Sequence, residues 1–116
     1  MVISDAADRH ADEVFHALAD PTRRDILGTV LAGDHSVSDL ARRYPMSFAA
    51  VHKHVAALER AGLVTKTRRG REQRVSGNVA AIRGAHGVLD QLEAVWQGRV
   101  ERIGALLTES DQGARP

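Results

Sequence analysis

The side chains here that could do chemistry are mostly cations, and they are clustered. Arg42, Arg43, Lys53, Arg60, Lys66, Arg68, Arg69, Arg71 and Arg74 lie within one stretch, opposed only by Glu59 and Glu72. Residues 42–74 therefore carry +7, while residues 1–41 carry −5 and residues 75–116 carry −1, a partition that the overall +1 conceals. Charge localised in this way is the footprint of a face that binds a polyanion, and a solvated basic surface without a partner is the plain alternative. Catalytic groupings are missing. The sequence has no phosphate-cradling glycine loop, no nucleophile elbow and no pair of carboxylates in a plausible cleft, so the chain reads as a non-enzyme without a cofactor. With no cysteine, disulfides, thiolate metal sites and cysteine redox switches are excluded.

The elements that must position these cations read as helix, tight turn, helix across Ser36 to Arg60. Ser36 is an N-cap serine with Asp39 three residues on, a variant of the capping box. The helix through Leu40 and Ala41 stops at Pro45, because proline cannot continue a helix. Ser47 caps the next helix. Val51, Val55 and Leu58 recur at i, i+4 and i+7 as one inward stripe, leaving Phe48, Ala49, His52, Lys53 and Ala56 outward. Gly62 ends it, where a left-handed cap suits glycine. Two helices with a small, basic outer face on the second form a helix-turn-helix.

The rest of the chain frames this unit. Ala11, Val14, Phe15 and Leu18 recur at helical spacing from Asp8 to Ala19. Asp20-Pro21 then opens a helix to about Ala32 with Ile26, Leu27, Val30 and Leu31 inward and Arg23, Arg24 and Asp25 facing solvent or a neighbouring helix. Leu63 to Arg68 and Glu72 to Ser76 are β-forming runs around Arg69-Gly70-Arg71, a two-stranded ribbon with arginines at its tip. Such a ribbon directly after the second helix is a wing, whose arginines can reach phosphates or an adjacent minor groove, and a surface hairpin kept soluble by charge is the plain alternative. From about Asn78 to Thr108 a helical stripe runs through Val79, Ile82, His86, Leu89, Leu92, Trp96, Val100, Ile103 and Leu107, weakened by Gly84, Gly87 and Gly98, which leave open whether the helix is continuous, kinked or split in two. That stripe exceeds the needs of a 116-residue core, so part of it is expected on a second subunit. The sequence thus predicts one mainly α domain with a small β-hairpin over residues 8–107, and flexible tails at 1–7 and 109–116. No apolar run approaches the length of a membrane span, and the acidic start is unlike a signal peptide, so the expected location is cytoplasmic.

In this order and spacing the chain resembles the ArsR/SmtB family of winged helix-turn-helix regulators. The pieces that carry the resemblance are Phe15-His16-Ala17-Leu18-Ala19-Asp20-Pro21-Thr22-Arg23-Arg24-Asp25-Ile26-Leu27, Ser36-Val37-Ser38-Asp39-Leu40-Ala41, Met46 to Val55, Leu58 to Val64 and Gly70-Arg71-Glu72. The resemblance implies a homodimer on an imperfect palindrome in a double-stranded DNA operator, usually repressing its own operon, and dimerising through the first and last helices. The implied interface residues are Phe15, Leu89, Leu92, Trp96, Val100 and Ile103. Base-edge contacts are expected from Phe48, Ala49, His52 and Lys53, and phosphate contacts from Ser47, Arg42, Arg43, Arg68, Arg69 and Arg71.

Two departures bear on sensing. Thiolate metal sensors of this family carry Cys-Val-Cys-Asp-Leu where this chain has Ser36-Val37-Ser38-Asp39-Leu40, and serine hydroxyls are poor ligands for soft metals. Another branch holds zinc across the last helices of the dimer. Here His86, Asp90 and Glu93 share one helical face at i, i+4 and i+7, a partial site that two copies could complete. A histidine at a helix interface beside solvated acids is the simpler reading. A metal-responsive repressor and a winged helix that binds protein instead of DNA therefore stand as alternatives. The effector is unspecified.

Overall fold

The computed structural model of the protein describes residues 6–113. The elements in order are α1 (Ala6–Leu18), α2 (Pro21–Ala32), β1 (His35–Ser36), α3 (Val37–Arg42), α4 (Phe48–Arg60), β2 (Val64–Arg69), β3 (Glu72–Gly77) and α5 (Val79–Gly113). The chain divides into two compact units, Met1–Ala85 and His86–Pro116. No helix among the described residues is long and apolar enough to cross a membrane.

The first unit closes around one core. Val14 and Ala17 of α1, Ile26, Leu27 and Val30 of α2, Val37 and Leu40 of α3, and Val51, Val55 and Leu58 of α4 meet Leu63, Val64 and Val75 of the sheet segment. Ala81 and Ala85 add the first turns of α5, with Ile82 partly buried against the same cluster. The side chains are small and aliphatic, which lets short helices approach closely without large aromatic fillers.

Local chemistry starts each helix of the motif where the sequence marks it. Asp20 Oδ1 accepts from the amides of Thr22 (2.8 Å) and Arg23 (3.1 Å), with Pro21 at the first helical position. Those amide bonds, Arg23's above all, hold the Asp20 carboxyl below the usual carboxylate range. Ser36 Oγ accepts from Asp39 N at 3.0 Å, and Ser47 Oγ accepts from Ala50 N at 3.1 Å. Gly62 follows α4 with φ +75°, the left-handed conformation that glycine adopts without strain. The two arginines of α2 point to the neighbouring helix. Arg23 donates to the carbonyls of Ala17 (Nε, 2.6 Å) and His16 (Nη2, 3.2 Å), and Arg24 Nη1 donates to Leu18 O at 2.7 Å. They satisfy carbonyls that the end of α1 leaves open.

The structure departs from the sequence reading in several places. The ribbon is part of a larger sheet. Among the described residues it has three antiparallel strands in the order β1-β3-β2, because His35 and Ser36 pair with Val75 and Arg74. A two-residue strand leaves no alternation to read, and only its partner reveals it. The last helix, whose continuity the sequence leaves open, is a single 35-residue element. Its glycines weaken it without removing a backbone donor, so the hydrogen-bond ladder continues. Both expected tails are shorter than the sequence suggests. Helix α5 runs through Gly113, into the tail expected over residues 109–116, and α1 begins at Ala6, inside the tail expected over residues 1–7. The remaining tail residues, 1–5 and 114–116, lie outside the described residues. Leu31, expected inward, is 42% exposed and lies across Gly77, where a Cβ would come within 2.6 Å of its Cδ2. Val79 is exposed too, since Ala81 and Ala85 take the inward positions at the start of α5.

Leu58→Ala should lower stability by about 3 kcal/mol, as expected for a fully buried leucine that leaves a cavity. Ser36→Ala should cost about 1 kcal/mol through the lost cap. Urea unfolding followed by circular dichroism checks both, and equal midpoints for Leu58→Ala and the parent would contradict this core.

Candidate nucleic-acid interface

The face is built from α4 outward. Val51, Val55 and Leu58 are fully buried, which fixes the rotation of the helix and turns its opposite side to solvent. Phe48, Ala49, His52 and Lys53 are all exposed there. Phe48, in the first turn, is 54% exposed, and its ring lies 6.2 Å from the His52 imidazole at an interplanar angle of 34°. Ser47 is exposed as the cap of the same turn.

The turn between α3 and α4 is tied to α2. Tyr44 donates its hydroxyl proton to Asp25 Oδ2 at 2.6 Å. Partial burial, then the bond to Asp25, pushes the Tyr44 hydroxyl up to about 12. Asp25 thus has a structural partner that the sequence reading did not supply. Arg43 at the end of α3 leans on His35. The His35 Nδ1 lies 2.7 Å from Gly33 O, an acceptor only, so that nitrogen carries the proton and Nε2 accepts from Arg43 Nη2 at 3.3 Å.

The wing follows from strand alternation. Arg68 pairs with Gln73 and Lys66 with Val75, so these four share one side of the ribbon. Gly70 turns the tip with φ +64°, a conformation that suits glycine. Between the wing and the start of α4 lies a recess of about 370 Å³ lined by Ser36, Val37, Ser38, Phe48, His52, Arg68, Arg71, Glu72 and Gln73. It brings together four of the expected residues, Phe48, His52, Arg68 and Arg71. It also adds Ser38, Glu72 and Gln73, which the sequence reading missed and which pairing between distant segments brings into place. Arg69 lines a different recess, of about 290 Å³, with Asp34, Thr67, Arg68, Arg74 and Ser76.

The nine clustered cations divide into roles. Lys66 is held by Glu59 at 3.3 Å, and Arg74 by Glu72 at 3.7 Å and by Asp34 O at 3.2 Å. Arg42 meets Asp39 at 2.9 Å, with both side chains well exposed, a pairing worth little in water. Arg60 lines another recess, of about 420 Å³, at the far end of α4 from Phe48. Lys53, Arg69 and Arg71 make no ion pair among the described residues, which leaves their charge open.

The comparisons with known proteins agree with this geometry. A family described as a helix-turn-helix domain matches residues 18–67. An ArsR-like transcriptional regulator from Rhodococcus sp. RHA1 aligns in structure with a TM-score of 0.78 and 34% identity, covering 88% of this chain and 96% of that one. The chain belongs to the ArsR family of winged helix-turn-helix transcriptional regulators. The transcriptional repressor SdpR of Bacillus subtilis is 34% identical over 59 residues, which are 51% of this chain and 66% of the repressor. The HTH-type transcriptional regulator Rv2034 of Mycobacterium tuberculosis is 43% identical over 56 residues, 48% of this chain and 52% of that protein. The alignments with these two relatives thus span between half and two thirds of their lengths.

In this ArsR-family chain, His86, Asp90 and Glu93 are exposed along α5, and no group of three His, Cys, Asp or Glu among the described residues is placed to hold a metal ion. Phe15 is exposed on α1. Separately, Leu89, Leu92, Trp96, Val100 and Ile103 are exposed along α5, with the Arg99 guanidinium 5.9 Å from the Trp96 ring.

Tyr44→Phe should lower stability by about 1 kcal/mol through the lost hydrogen bond. Because the folded pKa is raised, the advantage of the tyrosine is fully present below pH 10 and falls away as pH rises through about 12. Urea midpoints of parent and variant compared at pH 8 and pH 11 check this, and a gap that widens at pH 11 would contradict it.

Proposed function

We propose that this regulator is a homodimeric repressor that binds an imperfect palindrome in an operator. Each subunit lays α4 into a major groove, and the two helices sit about one DNA turn, ~34 Å, apart. Phe48 and Ala49 offer apolar contact to thymine methyl groups, and His52 and Lys53 offer hydrogen bonds to base edges. Ser47, Arg42, Arg43, Arg68, Arg69 and Arg71 hold phosphates. With three to five of these arginines neutralising a phosphate in each subunit, the dimer has a salt slope of about −5 to −9. The regulator works in the cytoplasm, on the nucleoid, and catalyses no reaction. The observation that carries the reading is the open charge of Lys53, Arg69 and Arg71 around a small, exposed, capped helix face.

Self-association rests on separate grounds. Leu89, Leu92, Val95, Trp96, Val100 and Ile103 leave a long apolar stretch of α5 exposed in the single chain. Monomeric soluble proteins rarely carry such a surface, and a second copy brings an identical one to cover it.

Lys53→Ala and His52→Ala should reduce preference for the operator over unrelated DNA. Arg69→Ala and Arg71→Ala should weaken binding to all DNA alike. Fluorescence anisotropy on the protein's own promoter fragment and on unrelated DNA of equal length, at about 0.15 M salt, checks this. Normal operator affinity in the quadruple variant would overturn the assignment. Trp96→Glu combined with Leu92→Glu should convert the dimer to a monomer in sedimentation velocity, and an unchanged dimer would place the interface elsewhere.

A further inference from the structure

Gln73 was not among the residues the sequence singled out, yet its position is specific. Register pairs it with Arg68 across the ribbon, two residues from the buried Val75 on the same side. That side faces the recess it shares with Phe48 and His52 of α4. Two neighbouring arginines have partners within the fold. Arg68 Nε donates to Gly70 O at 3.4 Å, and Arg74 is held by Asp34 O and Glu72. The Gln73 side chain is exposed and makes no hydrogen bond among the described residues.

Chemistry separates Gln73 from the arginines around it. A guanidinium gains most from a phosphate, where charge assists the bond. A neutral amide gains less there, but it presents one donor and one acceptor side by side. Those match the N7 acceptor and the N6 amino donor on the major-groove edge of adenine. Arg68 and Arg71 therefore suit the DNA backbone, and the Gln73 amide in the same recess suits a base edge.

We infer that Gln73 is a specificity-determining residue that reads an adenine in the base pair flanking those under Phe48 and His52. The inference rests on the operator-binding reading above and adds a wing contact to it. It predicts that the motif extends beyond the bases reached from α4.

The test is selection of bound sequences from a randomised duplex library, at about 0.15 M salt, by the full chain and by Gln73→Ala and Gln73→Glu. The parent should select adenine at one flanking position in each half-site. Gln73→Ala should flatten that position alone and lower affinity for the selected site about tenfold. Gln73→Glu should shift the position toward cytosine, whose N4 amino group donates to a carboxylate. A merely structural role in the wing would weaken every sequence equally and leave the motif unchanged. An identical motif for parent and Gln73→Ala therefore overturns the inference while leaving operator binding intact. Binding by the parent with no motif at all overturns the operator reading, and this inference with it.

Discussion

The burial of Val51, Val55 and Leu58 is the constraint on which the rest of this structure depends. These three side chains lock α4 against rotation, because turning the helix by one residue would swing an apolar group into water and a polar one into the core. The rotation then decides which residues face outward. Phe48, His52 and Lys53 are presented because the other side of the helix has no freedom. The same core receives Val37 and Leu40 of α3 and Val75 of β3, so the elements flanking α4 are anchored to the helix they frame.

Ser36 shows how tightly the frame is joined. It pairs with Arg74 as part of β1 and caps α3 by accepting from Asp39 N. One buried residue therefore links the root of the wing to the first helix of the motif. The Tyr44 to Asp25 bond does comparable work at the turn, joining it to α2. Asn78 closes the far side of the wing, where its amide donates to Gly62 O and its carbonyl oxygen accepts from Ala80 N at the start of α5. Positioning by rigid elements matters for recognition, since an interface that reads bases needs its side chains held in place.

Electrostatics divides the clustered cations by role. Lys66 and Arg74 are held within the fold, and their charges are largely answered by Glu59 and Glu72. The remaining open charge lies with residues such as Lys53, Arg69 and Arg71. The count of nine cations thus overstates how much charge is available to a partner, and the net +7, from which Glu59 and Glu72 are already subtracted, is the better measure. Position along the chain does not tell which cation is paired, as Lys66 of β2 is with Glu59 of α4, and which is free.

The sequence by itself determined the parts that rest on local chemistry. The caps at Asp20, Ser36 and Ser47, the stop before Pro45, the inward stripe of α4 and the glycine at the ribbon tip each depend on neighbours a few residues away, and each stands where the spacing predicts. Tertiary structure decided what depends on distant partners. β1 exists because β3 lies beside it, Tyr44 finds Asp25 nineteen residues away, and Gln73 reaches the recess only through its register with Arg68. The continuity of α5 was likewise undecided by its glycines, whose helix cost is small beside the unbroken hydrogen bonds of the element. Local spacing carries local energies, while pairing and register are set by packing between segments far apart in the chain.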